Sequence, residues 1–157
     1  MSRATRATRV LDAAGAAYRL HAYDYAAEAE AKGMQAAAAL GFPAQRVLKS
    51  LMAWVDDTPV CAVIPSDRRL QLKKLAAAFG GKSARMMDVA EAERRTGYKV
   101  GGISPLAQQR QAPVLIERRA LDEPSICFNA GQRGLLLEMA PAAAVEVLKA
   151  QACELCE

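Results

Sequence analysis

The residues of this chain that could do chemistry fall in three stretches: "VLKSL" at 47–51, "TGYKVGGISPLAQQR" at 96–110 and "NAGQRG" at 129–134. In the first, Lys49 stands inside an apolar run. Strand alternation puts Val47, Lys49 and Leu51 on one face and Leu48, Ser50 and Met52 on the other, so the ammonium shares its face with apolar neighbours. Two readings follow: plain outward alternation, or a cation kept for a phosphate or a carbonyl oxygen. In the second stretch Gly101 and Gly102 are adjacent, which fits neither G-x-G-x-x-G nor G-x-x-x-x-G-K-[ST]. Ser104, followed by Pro105 and Leu106, is no G-x-S-x-G elbow. What the loop offers is backbone: paired glycines permit positive φ and close approach to a ligand, and Pro105 fixes the turn after Ser104. The third stretch supplies an amide and a guanidinium, Asn129 and Arg133, at the end of a strand. Taken alone it reads as a hairpin turn with a solvated arginine.

Other chemistry lacks its residues. His21 is the single histidine, so a Ser/His or Cys/His triad would have to use it, beside Tyr18 and Tyr23 on a strand; an ordinary surface histidine is the simpler reading. No H-E-x-x-H, clustered Asp/Glu/His set or nucleotide fingerprint occurs, and neither a metal nor a cofactor is expected. Cys61 and Cys127 lie in strand-like apolar runs and read as core. Cys153-x-x-Cys156 has redox or zinc spacing, but without a second pair it reads as an incidental pair on a fraying tail. The net charge of +4 fits a partner with phosphates, and equally a solvated basic surface. No apolar run approaches the roughly 20 residues that span a bilayer, and no apolar h-region follows the charged N-terminus, so a cytoplasmic protein with no membrane contact is expected.

The elements that must position these residues are legible in outline. Arg3 to Gly15 carries Val10, Leu11 and Ala14 on one helical face, with Ser2 or Thr5 as cap. "YRLHAYDY" alternates like a half-buried strand, and the alanine-rich run from Glu28 to Leu40 reads as a second helix closing on Gly41. "VLKSLMAWV" and "VCAVIP" about "DDTP" predict a β-hairpin. A helix follows from Leu70 to Phe79, then a short strand in "SARMM", then a helix from Asp88 to Thr96 capped by Asp88. "APVLIER", "SICFNA" and "GLLLEM" are further strands, and Pro141 opens a last helix through Lys149. The 157 residues fit one domain spanning 1–157, large enough to bury a core unaided. Strands arranged in hairpins rather than βαβ units predict an α+β domain with a curved, mostly antiparallel sheet, helices around it and the glycine loops gathered at one edge.

Together "VLKSL", "TGYKVGGISPL" at 96–106 and "NAGQRGLLLEMAP" at 129–141 resemble the YbaK/EbsC family of Cys-tRNA(Pro) deacylases, free-standing relatives of the editing domain inserted in bacterial prolyl-tRNA synthetases. The resemblance runs across nearly the whole chain. It implies a barrel-like sheet and an enzyme that cleaves Cys-tRNA(Pro), mischarged by prolyl-tRNA synthetase, in trans. It also implies that the substrate's own thiol attacks its carbonyl, so that the protein supplies positioning rather than a nucleophile. Lys49 matches the family lysine and would anchor the terminal adenosine phosphate or the aminoacyl end. Gly101, Gly102, Ile103 and Ser104 match the family's GGIS loop, whose N–H groups would face the ester carbonyl. Tyr23 matches a pocket aromatic, Asn129 a position held by serine or asparagine, and Arg133 would close the rim. Leu48 and Ser50 depart from the family's phenylalanine and threonine, and Ala107 and Ala130 from its glycines, where a positive φ would strain alanine. These departures bear on which amino acid is removed. Alanine is one alternative, and a module that binds aminoacyl-tRNA or the synthetase without turnover is another.

Overall fold

A computed structural model describes residues 4–26 and 32–157. Helix α1 (Arg6–Ala13) is capped by Thr5, which forms a reciprocal capping box with Thr8; Ser2 lies outside the described residues. The helix is shorter than Arg3 to Gly15, and Arg3 itself lies outside the described residues. Strand β1 (Arg19–Ala22) follows, then α2 (Lys32–Leu40), whose anticipated start at Glu28 also falls outside them. The hairpin forms as the alternation requires: β2 (Leu48–Val55) and β3 (Thr58–Pro65) pair antiparallel about Asp56 and Asp57. Helix α3 (Leu72–Ala78) starts two residues later than expected because Leu70 is drawn into an isolated bridge with Cys156. Next come β4 (Ala84–Met86), α4 (Val89–Thr96) capped by the Asp88 carboxylate on Glu91 N, and β5 (Val114–Glu117). The chain ends with β6 (Ile126–Gln132), β7 (Leu135–Met139), α5 (Pro141–Leu148) and β8 (Gln151–Cys153).

The strands form two sheets rather than one barrel-like sheet: β1-β7-β6, and β4-β2-β3-β5-β8. Most pairings are antiparallel, but β5 and β8 enter parallel. A short 3-10 turn at Arg118–Asp122 carries the chain out of the large sheet into the small one. Among the described residues the two sheet edges meet at one isolated bridge, Val47 to Cys127, and do not close.

Alternation explains the layers. Leu48, Met52, Cys61, Val63 and Val114 turn inward to Phe128, Leu135 and Leu137 of the small sheet, with Leu11 of α1 and Leu148 of α5 sealing that core. Ala53, Val55, Val60, Ala62 and Ile64 turn the other way, onto Leu75 of α3. Strand β3 is thus buried on both faces, which is why "VCAVIP" reads as continuous apolar sequence. On the outer face of the small sheet, Cys127 and Leu136 pack under Ala36 and Ala37 of α2.

The C-terminal segment does not fray. Glu117 Oε1 accepts hydrogen bonds from Leu155 N (2.9 Å) and Cys156 N (3.0 Å), and its Oε2 accepts from Arg119 N (3.1 Å). Cys153 and Cys156 are consequently buried, with Leu155 fully enclosed between them. Among the described residues no helix is long and apolar enough to cross a membrane, and no group of three His, Cys, Asp or Glu side chains could hold a metal.

Candidate functional site

The site follows from where β4 stops. It pairs with β2 only from Ala53 to Val55, so the β2 edge from Lys49 to Leu51 has no strand beside it among the described residues. A cleft of about 450 Å3 runs along that open edge. Its walls are the β2 residues, Gly33 and Ala36 of α2, Met86 to Ala92 around the start of α4, the loop at Val100, Gly101 and Ile103, and Asn129 with Leu136 of the small sheet. Of the residues singled out in the sequence, Tyr23, Lys49, Gly101, Ile103 and Asn129 line it together.

Lys49 is half-buried, with Leu51 on the same strand face packed into the α3-side core. Burial holds its ammonium below the ordinary lysine range, with the charge of Asp67 pulling partly the other way. Among the described residues it makes no ion pair, so its positive charge is available to a ligand. Beside it Ser50 Oγ is buried and finds no hydrogen-bond partner there, whereas Ser66 Oγ is spent on Val47 O. Burial pushes the Tyr23 hydroxyl up in pKa, with the Gly134 backbone opposing.

The two glycine loops lock together, as expected of loops gathered at one edge. Asn129 is the clasp. Its Oδ1 accepts from Gly131 N (2.6 Å) and Gln132 N (3.0 Å), and its Nδ2 donates to Gly101 O (3.1 Å). Gly101 has φ +90°, and a β-carbon there would lie 2.7 Å from Tyr25 Cε1; at Gly102 it would meet Arg133 N at 2.8 Å. Both positions are therefore closed to any side chain. Arg133 sits on the exposed rim, donating from Nε to Val100 O (2.8 Å) and stacking over the Tyr25 ring (5.2 Å).

Two residues of the GGIS loop, Gly102 and Ser104, do not line the cleft. Gly102 N donates to Lys99 O (2.7 Å), closing the turn, so the loop amides without an acceptor among the described residues include those of Gly101 and Ile103 but not Gly102. Ser104 is fully buried outside the cleft lining, and its hydroxyl accepts from Leu106 N (3.2 Å). That bond shapes the turn, the usual local use of a loop hydroxyl.

Ala107 does take a left-handed φ, +58°, while Ala130 lies in β6 without one. Sequence reasoning passed over Gln108, which is buried and donates from Nε2 to Ser104 O (3.1 Å) while accepting from Ala112 N (3.2 Å). It also passed over Tyr25, whose ring covers Gly101; the signal was there, since paired glycines imply a bulky group pressed against them. His21 meets Glu138 at 2.9 Å and packs edge-on to Phe42 at 5.2 Å, outside the cleft.

A family model described as an aminoacyl-tRNA editing domain matches residues 28–147. A candidate Cys-tRNA(Pro)/Cys-tRNA(Cys) deacylase, EbsC of Enterococcus faecalis, is 38% identical over 120 residues, covering 76% of this chain and 73% of that one. The Escherichia coli protein named multifunctional Ser/Thr-tRNA deacylase ProXp-y is 29% identical, covering 80% and 76%. A crystal structure described as a candidate trans-editing enzyme for prolyl-tRNA synthetase superposes with a TM-score of 0.83 at 22% identity over 99% of both chains, and so shares the fold. With an open-edged cleft, a free cation and two interlocked glycine loops beneath a family match over most of its length, the chain belongs to the aminoacyl-tRNA editing domain family.

Proposed function

We propose that this deacylase removes cysteine mischarged onto tRNA(Pro), acting in trans on the product of prolyl-tRNA synthetase and using the substrate's own thiol as nucleophile. The observation that carries the reading is what the cleft offers: a cation, an unpartnered hydroxyl and backbone amides, with no histidine beside either serine. A serine without a base is a weak nucleophile. A site of this kind works by holding the ester in a reactive pose and stabilising charge on its carbonyl oxygen.

In this scheme the cysteinyl sulfur attacks the carbonyl carbon, a C–S bond forms as the bond to the ribose 3′-oxygen breaks, and the thiol proton ends on the departing oxygen. Water then opens the cyclic thiolactone to free cysteine. Lys49 would hold the terminal phosphate or the aminoacyl end, and the Gly101 and Ile103 amides would meet the developing oxyanion. Tyr23, Asn129 and Arg133 would fix the walls. Kinship with EbsC supports cysteine. The resemblance to ProXp-y supports a second reading, in which the same cleft takes a serine, threonine or other small side chain such as alanine.

The test is deacylation of Cys-, Ser- and Ala-charged tRNA(Pro) by the wild type and by Lys49→Ala, with and without prolyl-tRNA synthetase. Loss of cysteine alone, abolished in the variant, is the expected result. Release of serine or alanine at equal rates removes the thiol mechanism, and binding without turnover would leave a sequestering module. Dependence on added synthetase decides whether tRNA identity is read through that partner.

A further inference from the structure

Behind the cleft lies a second cavity of about 330 Å3. The two share the end of β3: Ser66 lines the cleft, and its neighbours Pro65 and Asp67 line the cavity. Its remaining charged walls are Arg68, Arg119, Glu117 and Glu123, with Gln45 and Cys156 between them. The glutamates are engaged. Glu117 is buried and holds three backbone N–H groups, and Glu123 is paired with Arg46 Nε at 3.2 Å. Among the described residues the arginines are not: neither Arg68 nor Arg119 has a carboxylate within ion-pair distance. Both guanidiniums line this one cavity together with Cys156, whose thiol burial and Glu117 push up to about 12. Asp67, the third carboxylate of the lining, is exposed to solvent.

Two guanidiniums that line one cavity and have no carboxylate partner among the described residues suit a phosphodiester, which accepts bidentate hydrogen bonds from arginine. We infer that this cavity is a backbone-phosphate subsite for the single-stranded 3′ end of an RNA, gripped by Arg68 and Arg119 while the terminal residue of that RNA enters the cleft beside Lys49. The inference rests on the deacylase reading for what occupies the cleft, but the subsite itself needs no ester. Because it reads phosphate, it is indifferent to base identity.

The test uses an uncharged acceptor-stem minihelix ending in CCA, titrated against the full chain at several salt concentrations. Removing two phosphate contacts on a single strand makes the slope of log K against log[salt] shallower by about 1.4, so the affinity ratio between about 50 and 200 mM salt shrinks about sevenfold. That is the expected result for the Arg68→Gln/Arg119→Gln double variant. Arg9→Gln, on the exposed face of α1, should keep the wild-type slope. An unchanged slope in the double variant overturns the inference, as does an equal change with Arg9→Gln. Inorganic phosphate is the second arm: arginine-dependent binding of free phosphate, with minihelix binding unaffected, overturns the RNA assignment. No turnover of any charged tRNA, with the slope effect intact, sinks the deacylase reading and leaves the subsite standing.

Discussion

Asn129 is the residue whose removal should separate the stability of the site from its geometry. Asn129→Ala deletes three hydrogen bonds, to Gly131 N, Gln132 N and Gly101 O. At about 1 kcal/mol each, and with the exposed Gln132 amide regaining water, the loss is about 2 kcal/mol. For a domain of this size that lowers Tm by about 4–8 °C. Asn129→Asp keeps both Oδ1 bonds but sets a carboxylate oxygen against Gly101 O where the donor was, so it should cost at least about 1 kcal/mol. If that single tether sets the position of the Gly101 loop, both variants should lose turnover alike, up to about 100-fold for a displacement near 1 Å. Thermal melts and single-turnover deacylation of the charged tRNA read the two effects separately. An Asp variant as active as wild type would refute the argument that Asn129 acts through Gly101.

Other perturbations have equally definite outcomes. Lys49→Met should abolish turnover yet stabilise the fold at neutral pH. Burial lowers the folded pKa of Lys49, so its penalty is fully present below that pKa and fades as pH rises toward the unfolded value; the variant's advantage in urea midpoint should shrink over the same alkaline window. Ala107→Gly relieves a left-handed alanine and should add up to about 1 kcal/mol, the relief of about 1–2 kcal/mol being offset by glycine's looser unfolded chain; a loss of stability on chemical denaturation would contradict this. Glu117→Gln replaces the acceptor for Arg119 N with an amide donor, or forfeits the pair to Leu155 and Cys156, costing about 2 kcal/mol. Burial pushes the Glu117 carboxyl up, but its backbone donors outweigh that and hold it below the usual range. Its contribution is therefore present above the unfolded glutamate pKa of about 4.3 and lost as pH falls through the lower folded value, a loss the variant should not show.

The parts of the fold legible in the sequence are those set by local rules. Alternation about Asp56 and Asp57 gives the β2–β3 hairpin, Asp88 caps α4, and Pro141 opens α5. The partition into two sheets was not legible, because the same strands serve either arrangement and the turn after β5 decides. Nor was the docked C-terminus, whose anchor Glu117 lies 38 residues before Leu155. In the site, Lys49, Gly101 and Asn129 stand out because each is an unusual residue for its local context. Gln108 and Tyr25 are ordinary loop residues that gain their roles only from distant contacts. Ser104 shows the converse: its place in the glycine loop is legible in the sequence, while the bond its hydroxyl accepts from Leu106 N is not.

The open edge of β2 has a consequence for how the molecule fails. Unpaired strand backbone is a template for another chain, and proteins ordinarily shield it with charge, a bulge or a covering element. Here the shield is the cleft itself: Gly33 and Ala36 of α2 and the interlocked loops line it, and among the described residues none of them hydrogen-bonds to Lys49, Ser50 or Leu51. Substitutions that detach α2 from Cys127 and Leu136 would leave the sheets folded and the edge bare. The expected product is intermolecular strand pairing and precipitation, so loss-of-function changes on that helix should surface first as poor solubility.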